Sequence, residues 1–115
     1  MTDACLFCKI VSGEIKGTIV HRDDQATAFR DINPVSPTHI LIVPNQHIAS
    51  VSALDSRDEQ LMGHLFTVAG QLAKSEGIAE GGYRLITNTG PDAGQTVLHI
   101  HVHLIGGQPM KHSMG

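Results

Sequence analysis

His99-Ile100-His101-Val102-His103-Leu104-Ile105-Gly106-Gly107 alternates imidazole side chains with branched apolar ones. In an extended strand successive side chains point to opposite faces. The segment therefore predicts His99, His101 and His103 on one face, about 6.5–7 Å apart, with Ile100, Val102 and Leu104 on the other, facing the core. A single strand histidine is ordinarily a packed core residue. Three on one face of an otherwise apolar strand are not accounted for by packing, so the face is expected to carry chemistry.

Two chemistries suit three imidazoles. One is a metal centre that activates water. Same-face neighbours on one strand lie too far apart for all three to reach one zinc ion at about 2.0–2.1 Å per bond. The other is nucleophilic catalysis, in which the central ring attacks and its neighbours stabilise developing charge. The spacing favours His101 as the nucleophile. The segment just before it, Thr89-Gly90-Pro91-Asp92-Ala93-Gly94-Gln95-Thr96, is a loop whose glycines allow close backbone approach. Its amides, with Gln95 and Thr96, are expected to donate to an anionic ligand.

Working outward, Tyr83–Asn88 and Val97–Ile105 read as strands flanking that loop. Thr38–Val43, between Pro37 and Pro44, is a β-branched run that predicts a well-buried strand. Thr18–His21 and Ala26–Asp31 read as short strands joined by a polar turn at Asp23-Asp24. Ser56–Gly77 is the main helix. Ser56-Arg57-Asp58-Glu59 fits a capping box, Leu61, Leu65, Val68 and Leu72 recur at helical spacing, and Gly77 can take the left-handed conformation that stops the helix. Short helical turns are expected at Lys9–Gly13 and Ala49–Leu54. Short connections between strands predict an α+β fold, an antiparallel five-stranded meander with one main helix, in a single domain over residues 5–115.

Length and composition agree with one soluble domain: 115 residues, 41% hydrophobic, 17% charged. No apolar run reaches the roughly 20 residues of a membrane span. Met1-Thr2-Asp3-Ala4 does not open a basic and then apolar leader, so a cytoplasmic location is expected. A net charge of −3 does not favour nucleic acid, so any phosphate must be handled locally. A short chain with only four Phe and Tyr side chains has a modest core, and burial of further surface in a homodimer is expected. Cys5 and Cys8 are the only cysteines, in a C-x-x-C spacing that by itself fits a pair of metal thiolates, a redox pair or chance. The extreme N-terminus lacks the strand-to-helix context of a redox pair. His21, His64 and His112 show no partner in the sequence and read as surface residues.

The chain resembles the histidine triad (HIT) family over nearly its whole length. The resemblance rests on the alternating histidines, Asp31-Ile32-Asn33-Pro34, Pro37-Thr38-His39-Ile40, Asn88, Gly94-Gln95-Thr96 and Gly106-Gly107. It is nearest to the nucleotide-binding phosphoramidase branch. That resemblance implies an antiparallel sheet, a homodimer whose sheets join, and hydrolysis of purine nucleoside phosphoramidates such as AMP linked to an amine. It implies His101 as nucleophile, with the His99 carbonyl holding its far ring nitrogen protonated. His103 would contact the α-phosphate and His39 would support from an adjacent strand. Asp31 would accept from the ribose hydroxyls, Ile32 would lie against the base, and Asn88, Gly94, Gln95 and Thr96 would contact phosphate and leaving group. Some bacterial members bind structural zinc through positions matching Cys5, Cys8, His47 and His99; no organic cofactor is implied. Thr96 stands where many of this branch carry Ser, and Gly94-Gln95-Thr96 also resembles the dinucleoside polyphosphate hydrolases. Gly106-Gly107 favours the phosphoramidases. The ending Met110–Gly115 lacks the Trp-Pro terminus of animal members, which bears on leaving-group preference. A nucleotide-binding adaptor without turnover is the non-enzymatic alternative.

Overall fold

Thr38–Pro44 (β3) is buried at every position, because strands flank it on both sides and helices cover both faces. The computed structural model describes residues 5–115; the expectation resting on Met1–Ala4 lies outside them. Around β3 the sheet adds Ile19–Arg22 (β1), Ala26–Arg30 (β2), Tyr83–Ile86 (β4) and Val102–Gly106 (β5), all paired antiparallel in the order β1-β2-β3-β5-β4. The antiparallel α+β sheet is the expected one. The order departs from chain sequence once, where β5 lies between β3 and β4. The crossover through the main helix delivers β4 to the outside and leaves the place beside β3 to the histidine strand.

That helix, Glu59–Ser75 (α2), follows a 3-10 turn at Ser56–Asp58. The expected capping box sits one residue earlier than Ser56. Asp55 accepts from the Arg57 amide and Asp58 accepts from the Asp55 amide. Both are carboxylates doing the work expected of Ser56 and Glu59. At the other end Gly77 adopts φ 75°, and Ile78 donates its amide to the Ala73 carbonyl, closing the helix as anticipated.

The alternation of β3 and β5 divides the core in two. Ile40 and Ile42, with Val102 and Leu104, face α2 and pack on Leu65, Val68, Ala69 and Leu72. Each of the Ile, Val and Leu side chains among them contributes about 1.5–3 kcal/mol through burial. The opposite face carries Leu41 and Val43 against Phe7 and Ile10 of a short helix, Leu6–Ser12 (α1). His39 and His103 emerge on this second face by strand parity. The expected turn at Ala49–Leu54 is a 3-10 turn at Val51–Ala53. Among the described residues no helix is long and apolar enough to cross a membrane.

Candidate active site

The predicted strand over Val97–Ile105 exists only from Val102 onward. Before it, the Ile100 amide donates to the Ile48 carbonyl at 2.6 Å and draws the chain away from the ladder. The three histidines therefore do not share one regular strand, a correction to the expected Val97–Ile105 strand, yet their rings keep to the α1 side of the sheet, with Phe7 edge-on to both His99 and His101. His101 and His103 adjoin, with ring centroids 5.0 Å apart. His99 is fully buried and turns to α1, where its Nδ1 lies 3.3 Å from Cys5 Sγ and 3.4 Å from Cys8 Sγ.

Hydrogen bonds assign the protons of the ring nitrogens. His101 Nδ1 lies 2.7 Å from the His99 carbonyl, which can only accept, so Nδ1 carries the proton. The lone pair of His101 is then on Nε2. That atom has no partner among the described residues, and no described side-chain N or O is both sealed and unpaired, so Nε2 opens to solvent. His101 is thus a mostly buried ring, braced edge-on by Phe7 at a centroid distance of 4.9 Å, with its nucleophilic atom outward.

A second chain of bonds fixes His103. The Val35 amide donates to His39 Nδ1 at 3.1 Å, which places the His39 proton on Nε2. His39 Nε2 is 2.9 Å from His103 Nδ1 and 3.4 Å from Asp31 Oδ2. His103 accepts at Nδ1 and holds its proton on Nε2, a donor for a ligand oxygen. Burial, together with His101 and His39, lowers His103 from 6.5 to about 4, although Asp31 pulls the other way. Burial likewise lowers His39 against the attraction of Asp31. Both rings are neutral at pH 7, so the site presents one lone pair beside one N–H donor.

The remaining expected ligand contacts divide. Asp31 is partly exposed, and its Oδ1 accepts the Asn33 amide at 2.8 Å. Ile32 is 91% exposed, which suits an apolar platform for a planar ligand. Asn88, half-buried beyond β4, makes no side-chain hydrogen bond among the described residues. Gln95 departs from expectation. Its side-chain amide donates to the Ala49 and Val97 carbonyls at 2.8 and 3.1 Å and accepts the Gly90 amide at 3.0 Å. The Gly94 and Gln95 amides are also spent within the loop, on Pro91 and Gly90. Gly94, at φ 84°, lets the loop turn, and Gln95 braces it. Thr96 is exposed and keeps both its amide and hydroxyl free of partners among the described residues, so it is a donor that the loop presents.

A second cluster joins α1 to the sheet. Cys5 Sγ, Cys8 Sγ and nitrogens of His47 and His99 all lie within 4.8 Å of one another. His99 Nε2 donates to the Pro44 carbonyl at 2.9 Å, leaving Nδ1 toward the sulfurs. His47 Nδ1 is 3.3 Å from Cys8 Sγ. Without a cation, burial and the neighbouring Cys5 push the Cys8 thiol up to about 11. Two sulfurs and two nitrogens so placed could hold a metal ion, and an ion there would favour the thiolates.

The sequence match follows the geometry. The HIT domain model matches residues 12–110, a span that holds His39, His101 and His103. This chain belongs to the HIT family. Among its relatives, the purine nucleoside phosphoramidase of Escherichia coli K12 is 52% identical over 110 residues, covering 96% of this chain and 92% of that protein. The 14 kDa zinc-binding protein of Zea mays is 46% identical over 107 residues, covering 91% of this chain and 83% of that one. A HIT family hydrolase from Clostridium thermocellum superposes with a TM-score of 0.94 at 45% identity, covering 97% of each chain. Another from Legionella pneumophila gives a TM-score of 0.92 at 48% identity, covering 93% of this chain and 96% of that one.

Within this HIT site the sequence reading missed three parts. They are Phe7 against His101, the Val35 amide on His39, and the Pro44 carbonyl on His99. Only Phe7 left a trace, as the apolar residue inside Cys5-Leu6-Phe7-Cys8. The two backbone groups carry no residue-type signal. His21 and His64, expected at the surface without partners, are instead both bonded to Asp23.

Proposed function

We propose that this chain hydrolyses purine nucleoside phosphoramidates, cleaving the P–N bond of an AMP-amine through a nucleotidyl intermediate on His101. The observation that carries the reading is the 2.7 Å bond from His101 Nδ1 to the His99 carbonyl, which leaves the Nε2 lone pair facing solvent beside a neutral N–H donor. The name of the Escherichia coli relative supplies the substrate class.

In the first step Nε2 of His101 attacks the α-phosphorus as the P–N bond breaks, and the amine takes up a proton as it leaves. In the second, water attacks the same phosphorus, the P–Nε2 bond breaks, AMP departs and a proton is released. His103 donates Nε2–H to a non-bridging oxygen throughout, and His39 holds His103 in that tautomer. Thr96 adds a donor at the leaving-group side. Asp31 accepts from ribose, and Ile32 lies against the purine. Asn88 contacts the phosphate end, while Gly94 and Gln95 shape the loop that does so.

The cluster of Cys5, Cys8, His47 and His99 supports a structural zinc ion. Zinc there would cross-link α1 to the sheet and fix the His99 backbone on which His101 depends, with four protein ligands leaving no place for a reactive water. One domain over residues 5–115, a cytoplasmic location, and a homodimer joined through the outer strand β4 complete the reading. The dimer is supported by the outer edge of β4, which has no strand partner among the described residues, and by a cavity beside it, lined by Leu85, Ile86, Met110 and Met114.

Turnover of an adenosine 5′-phosphoramidate of lysine, compared with that of diadenosine polyphosphates, tests the activity. The amide is expected to be the better substrate. His101→Ala should abolish hydrolysis, a loss of at least about 10³-fold, and retain AMP binding. Preference for the dinucleotide would move the chain to the polyphosphate hydrolases. Binding without turnover of either would make it an adaptor.

A further inference from the structure

A third group of ligating side chains lies outside both clusters. His21 on β1, Asp23 in the turn after it and His64 on α2 converge on a single oxygen. His21 Nε2 is 2.6 Å and His64 Nε2 2.8 Å from Asp23 Oδ2, across a sequence gap of 41 residues in the second case. The other carboxylate oxygen is committed. Asp23 Oδ1 accepts the Gln25 and Ala26 amides at 2.7 and 2.8 Å, and Asn45 Nδ2 donates to the Asp23 carbonyl at 2.9 Å. The backbone thus aims Oδ2 outward at the two rings. Burial opposes ionisation of Asp23, but His21, His64 and the two amides outweigh it and hold the carboxyl well below its usual range.

Each of the three side chains keeps roughly a quarter to a third of its surface in solvent, with exposures of 28, 26 and 31%. The group is therefore both preorganised and accessible. Its ligand atoms lie within 4.8 Å of one another. We propose that His21, Asp23 and His64 form a second divalent-metal site, taking a zinc-class transition ion and clamping the β1–β2 hairpin to α2. Two imidazole nitrogens and one carboxylate oxygen are a donor set for such ions rather than for calcium or magnesium. Ligand atoms around tetrahedral zinc stand about 3.3 Å apart for bonds of about 2.0–2.1 Å. The two short contacts must then open by about 0.5–0.7 Å, within the freedom of partly exposed side chains. Three protein ligands leave one position for water.

Equilibrium dialysis of the full chain against zinc, followed by metal counting, tests the site. His64→Gln and His21→Gln are each expected to hold one zinc fewer per chain than the wild type. Hydrolysis by both variants should be unchanged, because neither residue touches the active site. Added zinc should also raise the melting temperature of the wild type more than that of either variant. The difference of one equivalent separates this site from the cysteine cluster: loss of zinc there lowers the count of wild type and variants together. Equal zinc content in the wild type and in both folded variants would overturn the proposal. The three side chains would then form only a hydrogen-bonded clasp.

Discussion

A histidine becomes a nucleophile here because backbone groups dispose of its proton. The His99 carbonyl takes Nδ1–H of His101, and the Val35 amide, acting through His39, sets the opposite arrangement in His103. His103 is predicted to titrate at about 4, well below the ordinary 6.5, measured by the pH dependence of its ring NMR shifts. The sign for stability follows. Between pH 6.5 and about 4 the unfolded chain binds a proton at this position and the folded chain does not, so acidification through that window destabilises the fold. His39 and His99, also lowered by burial, act in the same direction. A midpoint for His103 at or above 6.5 would mean that its ring is not held neutral by its surroundings. At this scale the adjacency of His101 and His103 was legible from residue type and spacing, whereas His39 came only with the family resemblance. The Gln95 assignment was not. A glutamine next to Gly94 in a glycine-bearing loop looks like a ligand donor until its partners at Ala49 and Val97 are seen, and the Ala49 carbonyl is 46 residues away in the chain.

Short elements position the site, and α1 is the one whose place depends most on side-chain chemistry. Its seven residues are too few for a helix that stands alone. Phe7 and Ile10 anchor it to the sheet, and the Cys5, Cys8, His47 and His99 cluster sits at its start. Cys5→Ser is expected to remove about one zinc per chain, lower the melting temperature and weaken hydrolysis through loss of His99 positioning. Metal analysis, a melting scan and an activity assay check this together. Metal-free protein with unchanged melting and full activity would refute the structural role. The strand and helix pattern was legible where residue type or periodicity reports burial, as in the β-branched run Thr38–Val43 and in the helical spacing of Leu65, Val68 and Leu72 of α2. It failed at Val97–His101. There the alternation of imidazole and apolar residues looks extended, yet His99 is captured by Pro44 and the cysteines, and Ile100 by Ile48. Those captures come from distant segments and leave no local periodicity to read.

For the molecule as a whole, the sheet separates two jobs. One face packs on α2 and supplies stability; the other carries α1 and the histidines. Placing β5 in the interior, between β3 and β4, gives His103 a rigid bed, and His39 reaches it from the neighbouring strand. That strand order was not legible, because alternation reports which face a residue takes and not which neighbour its strand pairs with. The outer position of β4 leaves an edge for a second copy, and sedimentation equilibrium is expected to give twice the chain mass. A monomer across the working concentration range would contradict the joined-sheet assembly. The most direct test of the catalytic account is to catch the covalent species. Enzyme turning over an adenosine phosphoramidate would be quenched in alkaline denaturant, where an imidazole–phosphorus bond survives, and the adduct mapped by mass spectrometry. A nucleotidyl group on His101 is predicted, present in the wild type and missing from His101→Ala. Turnover with no adduct, or an adduct on another residue, would contradict it.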